Sequence, residues 1–200
     1  ETNVRMADAV LVAKVDSGDA SSMRQAHMHA EHLKHITKAG VPVFFGQSTV
    51  TPDAKDAATG EPLSAEAVRK LVQGRRVLVV DDGPTLTHGG MSYGAGYVLA
   101  QALGAGEIVD PRPYAQGYLK QVFEKYSHLE NVLPAMGYGD EQVNDLEATI
   151  QAVPCDEVIV GTPSDITHLM DLKHPSIVAR YELEIVPEHA NAFHEALDSV

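Results

Sequence analysis

The chain has 200 residues, a formal net charge of -13 and a single cysteine, Cys155. This length suits one domain with a sizeable core. The acidic balance argues against a nucleic-acid-binding surface, which needs a basic stripe, and a lone cysteine excludes an internal disulfide framework.

No apolar run is long enough to span a bilayer, no signal peptide is recognisable, and the cysteine usage fits a reducing, cytoplasmic setting. The opening "ETNVRMADAVLVAKVDSGD" lacks an initiating Met and starts close to a core-like strand. We therefore expect residues 1–200 to be a single α/β domain and a fragment of a longer chain.

In chain order, "DAVLVAK" has the short apolar run of a buried parallel strand. "DASSMRQAHMHAEHLKHITKAG" opens with capping residues and closes at Gly40, as a helix does. "VPVFFG" predicts a strand and "QSTVTPDAKDAATGEP" a polar loop. "LSAEAVRKLVQG" is a helix with Ser64 as N-cap, and "RRVLVVDD" is the third strand. A glycine-rich turn then leads to the helix "SYGAGYVLAQALGAG", starting at about Tyr93. "EIVD" is a short strand, "YAQGYLKQVFEKYSHL" an amphipathic helix and "NVLPAM" an extended segment. "GDEQVNDLEATIQAV" is a helix, "DEVIVGTP" a strand and "SDITHLMDL" a short helix. "SIVARYELEIV" is a last strand whose imperfect alternation suits a sheet edge, and "EHANAFHEALDSV" closes as a helix. The alternation predicts an α/β fold: a mostly parallel sheet with helices on both faces, three layers in all.

In such folds ligands bind at the carboxyl ends of strands, beside helix N-termini. "DDGPTLTHGG" lies at such an end. Its glycines let backbone N–H groups approach a ligand, and Asp82, Thr85, Thr87 and His88 add polar contacts around Gly89 and Gly90. These residues make a seat for phosphate or carboxylate; the plainer reading is a turn with a capping Thr. In "DPRPYAQG" two prolines hold Arg112 stiffly ahead of Tyr114, and its guanidinium suits either an anion or an ion pair with Asp110. "GTPSD" places Thr162 and Asp165 at a strand end, where Ser164 is a natural N-cap.

Ala13-Lys14-Val15-Asp16 resembles the Asn-Lys-x-Asp of P-loop GTPases, with Ala13 in place of Asn. His27, Glu31 and His35 share a helical face at a spacing that holds zinc, but the plainer reading is a solvated, His-rich face. Cys155 fits a small core residue better than a nucleophile. No G-x-x-x-x-G-K-[ST] occurs in the chain, so the phosphate cradle of a P-loop enzyme is missing from it.

Taken together, "NVRMADAVLVAKVDS", "GRRVLVVDDGPTLTHGGMSYGAGY", "GAGEIVDPRPYA", "FEKYSHLENVLPAMGYGDEQVNDLEATI", "DEVIVGTPSDI" and "YELEIV" resemble the C-terminal part of the cyclic 2,3-diphosphoglycerate synthetase family, which also holds many predicted GTPases. The resemblance runs from about Asn3 to Val186 and is longest between Gly74 and Asp165. It implies a longer parent with a Rossmann-like domain and a P-loop NTPase-like domain. It also implies ATP-dependent intramolecular phosphoanhydride formation, with ATP or GTP and Mg²⁺ bound in the full-length parent rather than by this chain alone. Such chemistry needs positioning and charge neutralisation above all.

On this reading Thr85, Thr87, His88, Gly89 and Gly90 contact phosphate, Arg112 neutralises charge, and Lys14 and Asp16 border the nucleotide base. The partner is a small phosphorylated metabolite, without nucleic acid or membrane; a homodimer stays open. The rival readings are a GTPase-like switch or metallochaperone-type nucleotide-binding protein, and a stand-alone module for a phosphorylated metabolite.

Overall fold

The computed structural model describes residues 2–15, 20–56, 58–129, 131–136, 139–162, 166, 170, 172 and 176–198. Its elements follow the alternation in the sequence. In order they are α1 (Thr2–Met6), β1 (Val10–Val12), α2 (Ala20–Lys34), β2 (Val43–Asp53), α3 (Ala65–Val72) and β3 (Arg76–Asp82). Next come α4 (Gly83–Gly89), α5 (Ala95–Leu103), β4 (Glu107–Ile108), α6 (Tyr118–Lys125) and β5 (Leu133–Ala135). The last are α7 (Asp140–Ala152), β6 (Glu157–Gly161), β7 (Ser176–Ile185) and α8 (Ala190–Asp198). Two compact units emerge: Glu1–Thr49 with Tyr181–Val200, and Val50–Arg180.

In the Val50–Arg180 unit, β3 is the central strand. Val77, Leu78, Val79 and Val80 are fully buried, as expected of a parallel strand covered on both faces. β6 pairs with β3 along its length, from Val77↔Glu157 to Asp81↔Gly161. On the other side β3 pairs first with β4, at Arg76 and Val77, and then with β5, at Val80, Asp81 and Asp82. β6 pairs in turn with β7, from Val158↔Ser176 to Val160↔Val178. These pairings are all parallel, and helices cover both faces of the mostly parallel sheet, α3 packing with α5 and α6 with α7.

Polar groups fix the helix ends. Ser64 Oγ accepts from Ala67 N at 3.3 Å and caps α3. α5 stops at Gly104, whose φ of 80° suits a residue without Cβ. Asp145 and Thr149 on α7 hold the entry of α6, accepting from Tyr118 N and Gln116 N, each at 2.9 Å.

In the other unit, β1 runs parallel to the start of β2, with Val10↔Val43, Leu11↔Phe44 and Val12↔Phe45. Ala26 and Ala30 of α2 pack with Val15, Phe45 and Val186. Phe44 meets Phe193 of α8 edge-on at 5.2 Å, and Phe45 N donates to His189 Nδ1 at 2.9 Å.

Four local readings of the sequence change. The stretch after β3, read as a turn, forms the short helix α4 because Asp82 caps it and Pro84 sits in its first turn. α5 begins at Ala95, after Gly94 in an extended conformation, rather than near Tyr93. β2 runs on to Asp53 through residues read as loop, its β-branched Thr49, Val50 and Thr51 favouring extension. β7 has β6 on one side and β2 on the other, so it is not a sheet edge. The short helix read at 164–172 falls mostly outside the described residues.

Ile159 is fully buried in β6 between Val79 and Ile177. Ile159→Ala should remove about 2–5 kcal/mol of stability through lost burial and a residual cavity. Urea unfolding checks this as a lower midpoint at unchanged slope.

Candidate functional site

The carboxyl end of β3 carries two aspartates with opposite side-chain directions, as the pleat requires. Asp81 is fully buried, and its carboxylate accepts hydrogen bonds from Gly94 N at 2.8 Å, Gly96 N at 2.7 Å and Tyr97 N at 3.4 Å. These amides belong to the N-cap and first turn of α5, which lack intrahelical acceptors for them. Three glycines make the approach possible. A Cβ on Gly94 would lie 2.8 Å from Asp81 Cγ, and one on Gly96 would lie 2.8 Å from Asp81 Oδ1. One on Gly161 would lie 2.1 Å from that same oxygen and 2.3 Å from Gly96 N. Burial pushes the Asp81 carboxyl up to about 6, and the three N–H donors offset this only in part.

Asp82 turns the other way and caps α4, accepting from Thr85 N at 3.0 Å and Thr85 Oγ1 at 2.6 Å. Thr87 Oγ1 donates to Gly83 O at 2.8 Å and lies 3.1 Å from Nδ1 of the exposed His88. With its proton on Gly83 O, that hydroxyl accepts from His88 Nδ1–H. Gly90 ends the helix with φ 63°.

Arg112 forks onto Asp110: Nε lies 2.9 and 3.0 Å from the two carboxylate oxygens, and Nη2 lies 2.7 Å from Oδ2. The guanidinium holds the Asp110 carboxyl below its ordinary value. Tyr114 is half-buried in the adjoining 3-10 turn, and Thr162 is buried just beyond β6. Lys14 is exposed, with an unusual φ of 60°. Asp16 and Asp165 lie outside the described residues, and so does the Ser164 read as a cap.

In the other unit, His27 of α2 rests edge-on against Phe45 at 4.9 Å, and Glu31 pairs with Lys34 at 2.5 Å. Among the described residues no group of three His, Cys, Asp or Glu could hold a metal ion. Cys155 is a buried core residue.

A cleft of about 340 Å³ opens beside the N-terminal turn of α5, lined by Ser92, Tyr93, Tyr97, His128, Asn131 and Val132. Because β5 pairs only with the last residues of β3, the segment entering β5 reaches this end of the sheet. Tyr93 and Tyr97 stack with ring centroids 5.1 Å apart. His128 Nε2 lies 3.0 Å from Leu86 O. A carbonyl only accepts, so Nε2 carries the hydrogen, and the bond satisfies a carbonyl of the last turn of α4. Neutral His128 therefore keeps Nδ1 as an acceptor. The stretch Asp81–Tyr97 singled out in the sequence supplies Ser92, Tyr93 and Tyr97, but none of the candidate residues named within it lines the cleft. His128 and Asn131 escaped attention; their signal was the polar run "YSHLEN" directly before an extended segment.

Asp81 gives the site a pH signature. Its carboxyl rises from 3.8 to about 6 in the fold, so the folded state holds the proton more tightly than the unfolded chain. The resulting stability is present below about pH 4 and is lost as pH rises through about 6, by about 3 kcal/mol in all. The stability difference between wild type and Asp81→Asn, measured by urea unfolding from pH 4 to 7, should show this decline. A pH-independent difference would contradict it.

No family model matches the chain, and no solved structure matches it. The chain is similar to arginine synthetase ArcE of Thermococcus kodakarensis, at 42% identity over 184 residues. The similarity covers 92% of this chain and 37% of that protein, so the chain spans well under half the length of the relative. Likeness to a synthetase agrees with the sequence reading; the cyclic 2,3-diphosphoglycerate activity has no counterpart in the relative's name.

Proposed function

We propose that this chain is part of a larger synthetase that forms arginine, and that the Val50–Arg180 unit contributes its substrate cleft. The 42% identity to arginine synthetase, sustained over 92% of the chain, carries this reading. Making a guanidinium from a ureido group and an amine removes water, which is unfavourable in aqueous solution. A synthetase couples such a step to nucleotide cleavage, so ATP or GTP with Mg²⁺ belongs to the proposal. The chain has no P-loop motif, and its described residues include no metal-binding cluster. On this reading the phosphate cradle for the nucleotide lies in parts of the parent beyond these 200 residues.

A second reading keeps a doubly phosphorylated glycerate as substrate and internal anhydride formation as the reaction. It is favoured by the resemblance between Gly74 and Asp165 and by exposed His88 beside Thr87 at the end of α4. In that case His88 and Arg112 meet phosphate.

The parent enzyme separates the two. On the first reading it should form arginine from citrulline, a ureido compound, and ammonia only with nucleotide and Mg²⁺, nucleotide being cleaved in step with arginine. His88→Ala and Arg112→Ala should then change kcat/KM by less than about threefold, since neither group lines the cleft. On the second reading 2,3-bisphosphoglycerate should drive ATP cleavage, and each variant should lose about tenfold or more, the worth of one charge-assisted hydrogen bond. Absence of arginine formation overturns the first reading.

A further inference from the structure

We infer that the cleft beside α5 binds a planar, donor-rich cation of the guanidinium class, stacked on the Tyr93–Tyr97 pair and donating to His128 Nδ1. This rests on the synthetase reading for its biological setting and on the cleft's own chemistry for the ligand class.

The anion-binding feature expected here is already in use. The N-cap and first-turn amides of α5 at Gly94, Gly96 and Tyr97 all donate to Asp81, so they are not offered to an external phosphate or carboxylate. None of Ser92, Tyr93, Tyr97, His128, Asn131 and Val132 is a lysine or arginine. An anion entering this cleft would give up its hydration without a matching cation, which is costly.

Acceptors and aromatic surface are what the cleft supplies. The Leu86 carbonyl takes the Nε2 hydrogen of His128 at 3.0 Å and leaves the neutral ring accepting through Nδ1. Asn131 has an amide oxygen, and Ser92 and Tyr93 have hydroxyl oxygens. The tyrosine rings lie 5.1 Å apart at an interplanar angle of 29°, and Tyr93 is 48% exposed. A guanidinium has five N–H donors, no acceptor and a flat face that stacks on aromatic rings. It therefore matches both kinds of group. The net charge of -13 also attracts a cation rather than a polyanion.

The test is a titration of the chain with arginine, with the uncharged analogue citrulline and with 2,3-bisphosphoglycerate, followed by nitrogen and proton NMR of the His128 ring and of Tyr93 and Tyr97. The unliganded spectrum should show an Nε2–H tautomer for neutral His128. Arginine should shift the His128 Nδ1 signal and the tyrosine ring signals saturably, citrulline more weakly and bisphosphoglycerate not at all. Tyr93→Ala, at an exposed position, should weaken arginine binding about tenfold through the lost stacking. His128→Gln, which keeps a donor for Leu86 O, should weaken it similarly.

An Nδ1–H tautomer, arginine binding that leaves the cleft signals unmoved, or bisphosphoglycerate binding at the cleft would overturn the inference. If the parent makes arginine while the cleft ignores it, this inference alone fails. If the cleft binds arginine while the parent makes none, the synthetase reading fails and the ligand class stands.

Discussion

The local architecture turns on one buried carboxylate. Asp81, at the end of the central strand, takes three amide hydrogens from the N-cap and first turn of α5. This satisfies donors that a helix leaves without partners and draws the helix onto the strand end. It also places a charged group out of water, which is why its carboxyl titrates at about 6. The interaction is tight enough to restrict the sequence around it. Gly94, Gly96 and Gly161 each stand where a single added carbon would strike the Asp81 carboxylate.

That arrangement changes the meaning of a glycine-rich strand end. Such glycines often bring backbone amides to a bound phosphate. Here the amides meet an anion the chain itself supplies. The neighbouring aspartate repeats the logic on a smaller scale, since Asp82 caps α4 and takes Thr85 as its partner. Two consecutive aspartates thus organise two consecutive helices, one from each face of the strand. The cleft beside them is left with tyrosine rings, an imidazole and an amide. That lining offers aromatic faces and hydrogen-bonding groups and includes no lysine or arginine.

Much of the fold was legible because parallel strands buried on both faces spell themselves out as apolar runs. "RVLVV" and "EVIV" are short and rich in β-branched residues, which favours strand over buried helix. Ser64 marked a helix start through local chemistry alone. Other features were left open or read too short. Arg112, which suited either an anion or an ion pair with Asp110, forks onto that aspartate. β2 looked finished at Gly46, but extends to Asp53. In the unit that holds its first half, Gln47 and Thr49 both bond to Glu184, more than a hundred residues away in sequence.

By itself the sequence determined the α/β alternation, the parallel sheet, and the concentration of polar residues at the carboxyl ends of its strands. These depend on periodicity and local capping, which act over a few residues. Only the tertiary structure decided which polar groups satisfy one another and which face a ligand. Asp81 finds its partners 13 to 16 positions later, and His128 finds Leu86 O 42 positions earlier. Hydrogen bonds of that range form only once β3, α4, α5 and the approach to β5 have been packed together. Until then a run of Asp, Thr, His and Gly is equally suited to holding a ligand and to holding the fold.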